Sequence, residues 1–250
     1  MNDSTTVLFV PGAWHSPDCF DLVIQRLEAA NYKTDKVHLP SVGPPKHYSN
    51  FDVDVAQIHS QIERAADAGQ NVVVVVHSYG SLPSNEAIKG LDIKSRQKNG
   101  LPGGVTHLFF CCSFVIKEGD SLIGAFGGND LPWFIVGDDK LEVAADKPEE
   151  IFYHDCDPAQ IQSAIAALQP HSYQTFHSPC TYAAWKDVPS TYLYCIQDAA
   201  IPLAVQKMMV EGTGQGSGMR TETVDASHSP FFSKPDEVTA AIRRAAGENF

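Results

Sequence analysis

Three polar side chains each follow a segment that the sequence predicts to be a strand, and together they indicate acyl-transfer chemistry. Ser78 follows "NVVVVVH", Asp198 follows "STYLYCIQ", and His228 lies in the loop after "RTETVDA". A serine hydroxyl is a poor nucleophile until a base takes its proton, and an imidazole base needs a carboxylate to orient it. Because functional groups gather at the carboxyl edge of a parallel sheet, we expect Ser78 as nucleophile, His228 as base and Asp198 as orienting acid there.

The segment "VHSYG" around Ser78 partly matches the sharp strand-to-helix turn that lifts a nucleophilic serine out of a sheet. Such a turn crowds the backbone, so small residues are favoured two places before and two places after the serine. Gly80 meets this requirement, whereas Val76 departs from it. The short match is weak alone, and the strong strand before it and the helix predicted after it raise its weight.

Two neighbouring side chains compete for these roles. His77 adjoins Ser78, but neighbours on a tight turn usually point apart, so we expect His77 to be structural. Asp225 is close to His228 in sequence, but it falls inside or at the end of its predicted strand. We therefore prefer Asp198 as the acid.

The loop "VPGAWHS" after the first strand is the expected partner of this turn. The tetrahedral intermediate of acyl transfer carries an oxyanion that needs two hydrogen-bond donors. We expect one to be the backbone N–H of Tyr79 and the other that of Ala13, with Trp14 as second choice. Gly12 allows the loop backbone to approach closely.

Strands and helices alternate along the chain, which predicts an α/β fold with a mostly parallel central sheet flanked by helices. Short apolar runs predict the strands, and apolar residues three and four apart predict the helices. The predicted strands are 6–12, 33–40, 71–77, 104–114, 190–198 and 220–226. The predicted helices are 20–27, 55–62, one after Ser78, 202–210, and one from about Pro235.

The segment 115–188 breaks this alternation, and we call it the cap. It has few strand signals, many aromatic residues and one visible helix around Ile161 and Ile165, so we predict a mainly helical insertion. The predicted core is therefore 1–114 with 189–250. An aromatic insertion over the sheet edge favours an apolar substrate pocket. The candidate substrate contacts are Trp14, His15, Phe126, Trp133, Phe134 and Trp185.

Charge and composition exclude several other classes of protein. The formal net charge is −12, whereas nucleic-acid binding needs a basic face. Neither a secretory signal nor a membrane span is predicted, since "MNDSTT" is polar and the run "VLFV" after it is short. The six cysteines form no Cys-x-x-Cys pair, so we expect reduced thiols in a cytoplasmic protein. "HSYQTFH" lacks metal-ligand spacing, and we expect neither metal nor cofactor.

Four segments resemble the α/β-hydrolase superfamily. They are "VLFVPGAWHSPDCF", "VVVVVHSYGS", "TYAAWKDVPSTYLYCIQDAAIP" and "DASHSPFFSKPDEV". The resemblance is to the small capped branch that contains plant methylesterases, hydroxynitrile lyases and many bacterial and fungal proteins of this fold, and it runs from about residue 6 to the C-terminus. It implies an α/β-hydrolase fold, the triad Ser78, Asp198 and His228, and oxyanion donors at Ala13 and Tyr79. The chain departs from the family pattern at two positions. Val76 stands where the family usually has glycine, and Pro11 stands where it usually has histidine.

Three functions fit these observations. The leading hypothesis is a serine hydrolase that cleaves a small, fairly apolar ester or lactone through an acyl-enzyme. The second is a non-hydrolytic or carbon–carbon reaction in the same site, such as a lyase, retro-Claisen or cyclase reaction, because one fold hosts many chemistries. The third is a ligand-binding receptor on the same scaffold. A small molecule is the expected partner in each case, and no sequence feature sets the oligomeric state.

Overall fold

The computed structural model describes residues 4–250 and contains a six-stranded parallel sheet with strand order β2-β1-β3-β4-β8-β9. Its strands are β1 (Thr5–Val10), β2 (Lys33–Lys36), β3 (Asn71–His77), β4 (Gly104–Cys111), β8 (Ser190–Cys195) and β9 (Arg220–Val224). A second, antiparallel sheet contains β5 (Phe134–Val136), β6 (Glu142–Ala145) and β7 (His171–Ser172). The predicted α/β fold with a mostly parallel central sheet is confirmed.

Ten helices accompany the two sheets in the described part of the chain. They are α1 (Asp21–Ala29), α2 (Asp52–Asp67), α3 (Ser81–Ile88), α4 (Ile93–Lys98), α5 (Leu122–Ala125), α6 (Pro148–Ile151), α7 (Pro158–Ala167), α8 (Leu203–Met208), α9 (Pro230–Ser233) and α10 (Pro235–Ala245). None of the helices within residues 4–250 is long and apolar enough to cross a membrane.

The five valines of β3 explain why this strand lies inside the sheet. β-branched side chains suit a pleated surface, and successive side chains point to opposite faces. Val72, Val74 and Val76 enter the hydrophobic core on one face of the sheet. Val73 and Val75 enter the core on the other face, against α1 and α10. Because both faces of β3 are covered, the run needs no polar alternation.

The boundaries of several strands differ from the sequence prediction. β3 has the predicted bounds, whereas β2 ends at Lys36 instead of residue 40, and β4 ends at Cys111 instead of residue 114. β8 and β9 also end before the predicted residues 198 and 226. After β8 and β9 the chain leaves the sheet early, and the following residues form the loops that carry Asp198 and His228.

The cap contains short strands as well as helices, and the sequence prediction of a mainly helical insertion did not include these strands. It contains helices α5, α6 and α7, and also all three strands of the antiparallel sheet. These strands have only two to four residues each, too few for the sequence to show a period of two. The sheet is also tied to the core, because His171 of β7 forms a bridge with Val42 in the loop after β2.

Candidate active site

Ser78 occupies a strained turn between β3 and α3. β3 ends at His77, the residues Ser78–Gly80 form one 3-10 turn, and α3 begins at Ser81. Ser78 has a φ of +50°, a left-handed conformation that costs a side-chain-bearing residue about 1–3 kcal/mol. Its carbonyl accepts hydrogen bonds from the hydroxyls of Ser113 at 2.6 Å and Ser81 at 3.1 Å, which hold the turn.

The turn and the loop after β1 are in direct contact, which requires glycine on both sides. A Cβ atom at Gly80 would lie 2.4 Å from the carbonyl oxygen of Pro11. A Cβ atom at Gly12 would lie 2.8 Å from Nδ1 of His77. Val76, where a smaller residue was expected, is fully buried and packs in the hydrophobic core with its strand neighbours. The departure at Val76 is therefore accommodated by the sheet.

Asp198 and His228 meet at the sheet edge and form a buried pair. Nδ1 of His228 donates to Oδ2 of Asp198 at 2.8 Å. Oδ1 of Asp198 accepts the backbone N–H groups of Ala200 and Ile201, both at 2.8 Å. With Nδ1 carrying the proton, Nε2 of His228 is left as the basic nitrogen. Asp225 is exposed and accepts from Gln197 at 3.1 Å, so Asp198 is the carboxylate that His228 contacts.

Gln206 of α8 holds the loop that carries Asp198, a role that sequence reasoning missed. Its side-chain Nε2 donates to the carbonyls of Cys195 at 3.0 Å and Ile201 at 2.8 Å, and lies 3.3 Å from Oδ2 of Asp198. Its Oε1 accepts the backbone N–H of Cys195 at 3.1 Å. No local motif marks this glutamine, because its partners belong to a strand and a loop before the helix.

His77 supports the backbone of His228, in agreement with a structural role. Burial lowers the pKa of His77 well below its usual value, so its ring is neutral. Nε2 of His77 donates to the carbonyl of His228 at 2.8 Å, and Sγ of Cys112 donates to the same oxygen at 3.3 Å. The side chains of His77, Cys112 and His228 each have one potential metal-ligand atom within 4.8 Å of the other two. We assign His77 and Cys112 the role of holding the loop that carries His228, because each donates a hydrogen bond to the carbonyl of His228.

A small apolar cavity of about 20 Å³ lies at Ser78, roughly the room that one water molecule occupies. Ala13 and Tyr79, the predicted oxyanion donors, lie in its wall beside Ser78. The remaining wall is apolar: Trp14, Phe114, Leu122, Leu131, Trp133, Phe134, Phe176, Ala200 and Ile201. The site thus places a serine, two adjacent backbone segments and a hydrophobic lining around one point.

Three of the six candidate substrate contacts lie in this wall, namely Trp14, Trp133 and Phe134. The other three do not line this cavity. Phe126 lies behind the wall, with its ring 5.8 Å from that of Phe114. Trp185 is buried away from the cavity and has its ring under the ammonium of Lys186 at 5.6 Å. The ring nitrogens of His15 contact the carbonyl of Ala13 and the hydroxyl of Tyr153.

The aromatic lining converges on Trp14. Its ring lies 5.6 Å from Trp133 and 5.7 Å from each of Phe134, Phe152 and Phe176, measured between ring centroids. Edge-to-face and stacked contacts of this kind add to the gain from burying the rings. The sequence identified the aromatic insertion, but not the ring in the core loop around which it is built.

Tyr79 is anchored by a buried carboxyl that the sequence did not reveal. The Tyr79 hydroxyl donates to Oδ2 of Asp54 at 2.7 Å. Asp54 also accepts the backbone N–H of Ser41 at 3.0 Å and the Ser41 hydroxyl at 2.6 Å. Burial raises the pKa of Asp54 from its usual value, and these hydrogen bonds oppose that rise. The network fixes the side chain of the residue whose N–H adjoins Ser78.

The chain belongs to the Alpha/beta hydrolase family, whose model it matches over residues 7–241. It is 33% identical to the alpha/beta hydrolase nvfD of Aspergillus novofumigatus over 246 residues, covering 97% of this chain and 96% of that protein. It is 24% identical to the pyrethroid hydrolase of Sphingobium wenxiniae, covering 95% and 86% of the two chains. The crystal structure of a methylesterase from Arabidopsis is 20% identical with a TM-score of 0.73, covering 97% of this chain and 98% of that one. Membership of this family supports hydrolase activity.

Proposed function

We propose that the protein is a serine hydrolase that cleaves a small, apolar carboxylic ester or lactone through an acyl-enzyme. The observation that carries the proposal is the buried Asp198–His228 pair, 2.8 Å apart, at the same sheet edge as the strained turn of Ser78. The apolar cavity wall favours a substrate without charge near its carbonyl.

In the acylation half of the reaction, the hydroxyl oxygen of Ser78 attacks the substrate carbonyl carbon. Nε2 of His228 takes the hydroxyl proton, and Asp198 stabilises the resulting imidazolium through Nδ1. The backbone N–H groups of Ala13 and Tyr79 receive the oxyanion of the tetrahedral intermediate. The intermediate collapses, His228 protonates the leaving alcohol oxygen, and an acyl ester remains on Ser78.

In the deacylation half, His228 takes a proton from a water molecule, and the hydroxide oxygen adds to the acyl carbon. Collapse of the second intermediate breaks the bond to the Ser78 oxygen, which recovers its proton from His228. The products are one alcohol and one carboxylic acid for one water consumed. For a lactone, both groups remain on a single product molecule.

Intact mass after treatment with an alkyl fluorophosphonate tests the nucleophile. We expect one adduct on the wild-type chain and none on Ser78→Ala, while Ser163→Ala, a change on the exposed face of α7, labels like wild type. A labelled Ser78→Ala chain, or an unlabelled wild type that is folded by circular dichroism, would overturn the assignment.

Product masses then separate hydrolysis from the non-hydrolytic reactions that the same site can host. Uptake of one water per turnover into an acid product that forms together with an alcohol group, traced with ¹⁸O-water, supports the ester or lactone hydrolase, whereas an ¹⁸O-labelled acid formed together with a ketone from a β-diketone supports retro-Claisen cleavage. Turnover of an ester, lactone or β-diketone panel without ¹⁸O uptake supports a lyase or cyclase, and tight binding without turnover supports a receptor.

A further inference from the structure

His15 lies two residues after Ala13 in the loop that follows β1, which we call the oxyanion loop; both of its ring nitrogens are engaged, and only 5% of its surface is exposed. Nδ1 lies 2.7 Å from the carbonyl oxygen of Ala13 in the same loop. Nε2 lies 2.7 Å from the hydroxyl of Tyr153 in the cap. His15 therefore bridges the cap and the backbone of the residue that we propose as an oxyanion donor.

Only one arrangement of protons satisfies these two contacts. Burial lowers the pKa of His15 to about 4, so its ring is neutral at pH 7 and carries one proton. A carbonyl can only accept, so Nδ1 holds that proton and donates it to Ala13. Burial raises the pKa of Tyr153 well above its usual value, so the phenol keeps its proton and donates to Nε2. The hydrogen bonds therefore run in one direction, from the Tyr153 hydroxyl in the cap to His15 and from His15 to the carbonyl of Ala13.

Two further hydrogen bonds tie the same loop to the cap. Nε1 of Trp14 donates to the carbonyl of Val143 at 2.8 Å, and the backbone N–H of Gln169 donates to the carbonyl of Trp14 at 3.0 Å. Trp14 itself has a φ of +67°, a conformation that non-glycine residues rarely adopt. Strained backbone persists only where its surroundings hold it, and here the cap supplies these contacts.

The cavity at Ser78 is too small to hold an ester while the cap is in this position, since its volume is about 20 Å³. A larger cavity of about 450 Å³ is lined by His15, Tyr153, residues of α7 and residues just before α1. Substrate access to Ser78 therefore requires movement of the cap, and the cavity that Tyr153 lines leaves empty space beside this side chain. That movement separates the hydroxyl of Tyr153 from His15.

We propose that His15 and Tyr153 are positioning residues through which closure of the cap sets the backbone of Ala13 for oxyanion binding. The inference rests on the proposed serine-hydrolase function. With the cap displaced, His15 loses its cap partner and the Ala13 carbonyl loses its fixed donor. With the cap closed over substrate, the hydrogen bonds re-form and fix the Ala13–Trp14 peptide, and this fixed peptide holds the adjoining Gly12–Ala13 peptide, whose N–H donates to the oxyanion, as in enzymes whose lid completes the site.

The test removes one oxygen atom from the cap by Tyr153→Phe. The matched control is Tyr173→Phe, which removes the hydroxyl of another buried cap tyrosine, bonded to Asp130 at 2.8 Å. We expect kcat for p-nitrophenyl butyrate to fall about 10-fold in Tyr153→Phe with KM changed less than about 2-fold, because a misplaced oxyanion donor weakens transition-state binding. The control variant should retain wild-type kcat.

A tetrahedral adduct separates this role from a merely structural one. Phenylboronic acid adds to a nucleophilic serine and places an oxygen where the oxyanion forms, so its inhibition constant should rise by the same factor as kcat falls. An inhibition constant unchanged in Tyr153→Phe would overturn the inference, as would full kcat in that variant.

A pair of substitutions at His15 keeps the inference falsifiable if Tyr153→Phe does not fold. His15→Asn retains a side-chain N–H at the position of Nδ1, whereas His15→Ala retains none, so the asparagine variant should keep more of the wild-type kcat. Equal losses in the two variants would contradict the role of the Ala13 contact. Failure of the wild-type chain to label with fluorophosphonate would instead overturn the proposed function, and this inference with it.

Discussion

Gln206 offers a quantitative test of how the loop that carries Asp198 is held. Its buried amide makes three full hydrogen bonds, to the N–H and carbonyl of Cys195 and the carbonyl of Ile201, and its Nε2 also lies 3.3 Å from the carboxylate of Asp198. It pairs with both backbone groups of Cys195, as a neighbouring strand would. The substitution Gln206→Met keeps the length of the side chain and removes every one of these contacts.

The expected loss of stability follows from that count. At about 1 kcal/mol for each full hydrogen bond, three bonds contribute about 3 kcal/mol to the free energy of unfolding. Burial of the thioether offsets about 1 kcal/mol of this loss. We therefore expect Gln206→Met to lower the free energy of unfolding by about 2 kcal/mol. Because Asp198 loses one of its supports, kcat/KM should fall about 10-fold as well.

Urea denaturation followed by circular dichroism measures the first effect, and ester hydrolysis measures the second. The control is Gln25→Met on the exposed face of α1, which should change neither quantity. A loss of less than about 1 kcal/mol in Gln206→Met, at an unchanged m-value, would show that water or the backbone replaces the amide. The reasoning about this loop would then be refuted.

Three further predictions concern the turn, the pair at the sheet edge and buried histidine. Gly80→Ala should destabilise the protein by more than about 2 kcal/mol in urea denaturation, because the new Cβ would lie 2.4 Å from the Pro11 carbonyl; an unchanged midpoint would contradict the tight contact. Asp198→Asn should lower kcat about 10⁴-fold with the fold retained, since the tautomer of His228 is no longer set; a loss under 10-fold, measured by ester hydrolysis, would assign the acid elsewhere. Burial lowers the pKa of His107 to about 4 from about 6.5 in an unfolded chain, so between these pH values the unfolded state binds more protons. Stability should thus fall by about 2 kcal/mol from this residue between pH 7.5 and pH 5, and His107→Gln should remove that part of the slope of urea stability against pH.

Local patterns in the sequence predict much of the architecture. The valine run predicts β3 with its observed bounds, because a continuous run of β-branched residues indicates a buried strand without any information about its neighbouring strands. The phase of Val238, Ala241 and Ile242 predicts the buried face of α10. Strand ends are less visible, since Asp198 and His228 lie beyond strands that finish earlier than the apolar run suggests. The cap sheet is invisible, because strands of two to four residues depend on pairing across the chain.

The sequence by itself determined the class of fold and the candidate residues Ser78, Asp198 and His228, because each is marked by what directly precedes it in the chain. Only the tertiary structure decided which aromatic rings face Ser78 and what His15 contacts. The partners of Trp14 and His15 in the cap are 129 and 138 residues away, a separation at which periodicity and composition hold no information about contact. Burial acts in the same way: it sets the proton positions on His15 and Tyr153, and it exists only once the cap has folded onto the sheet.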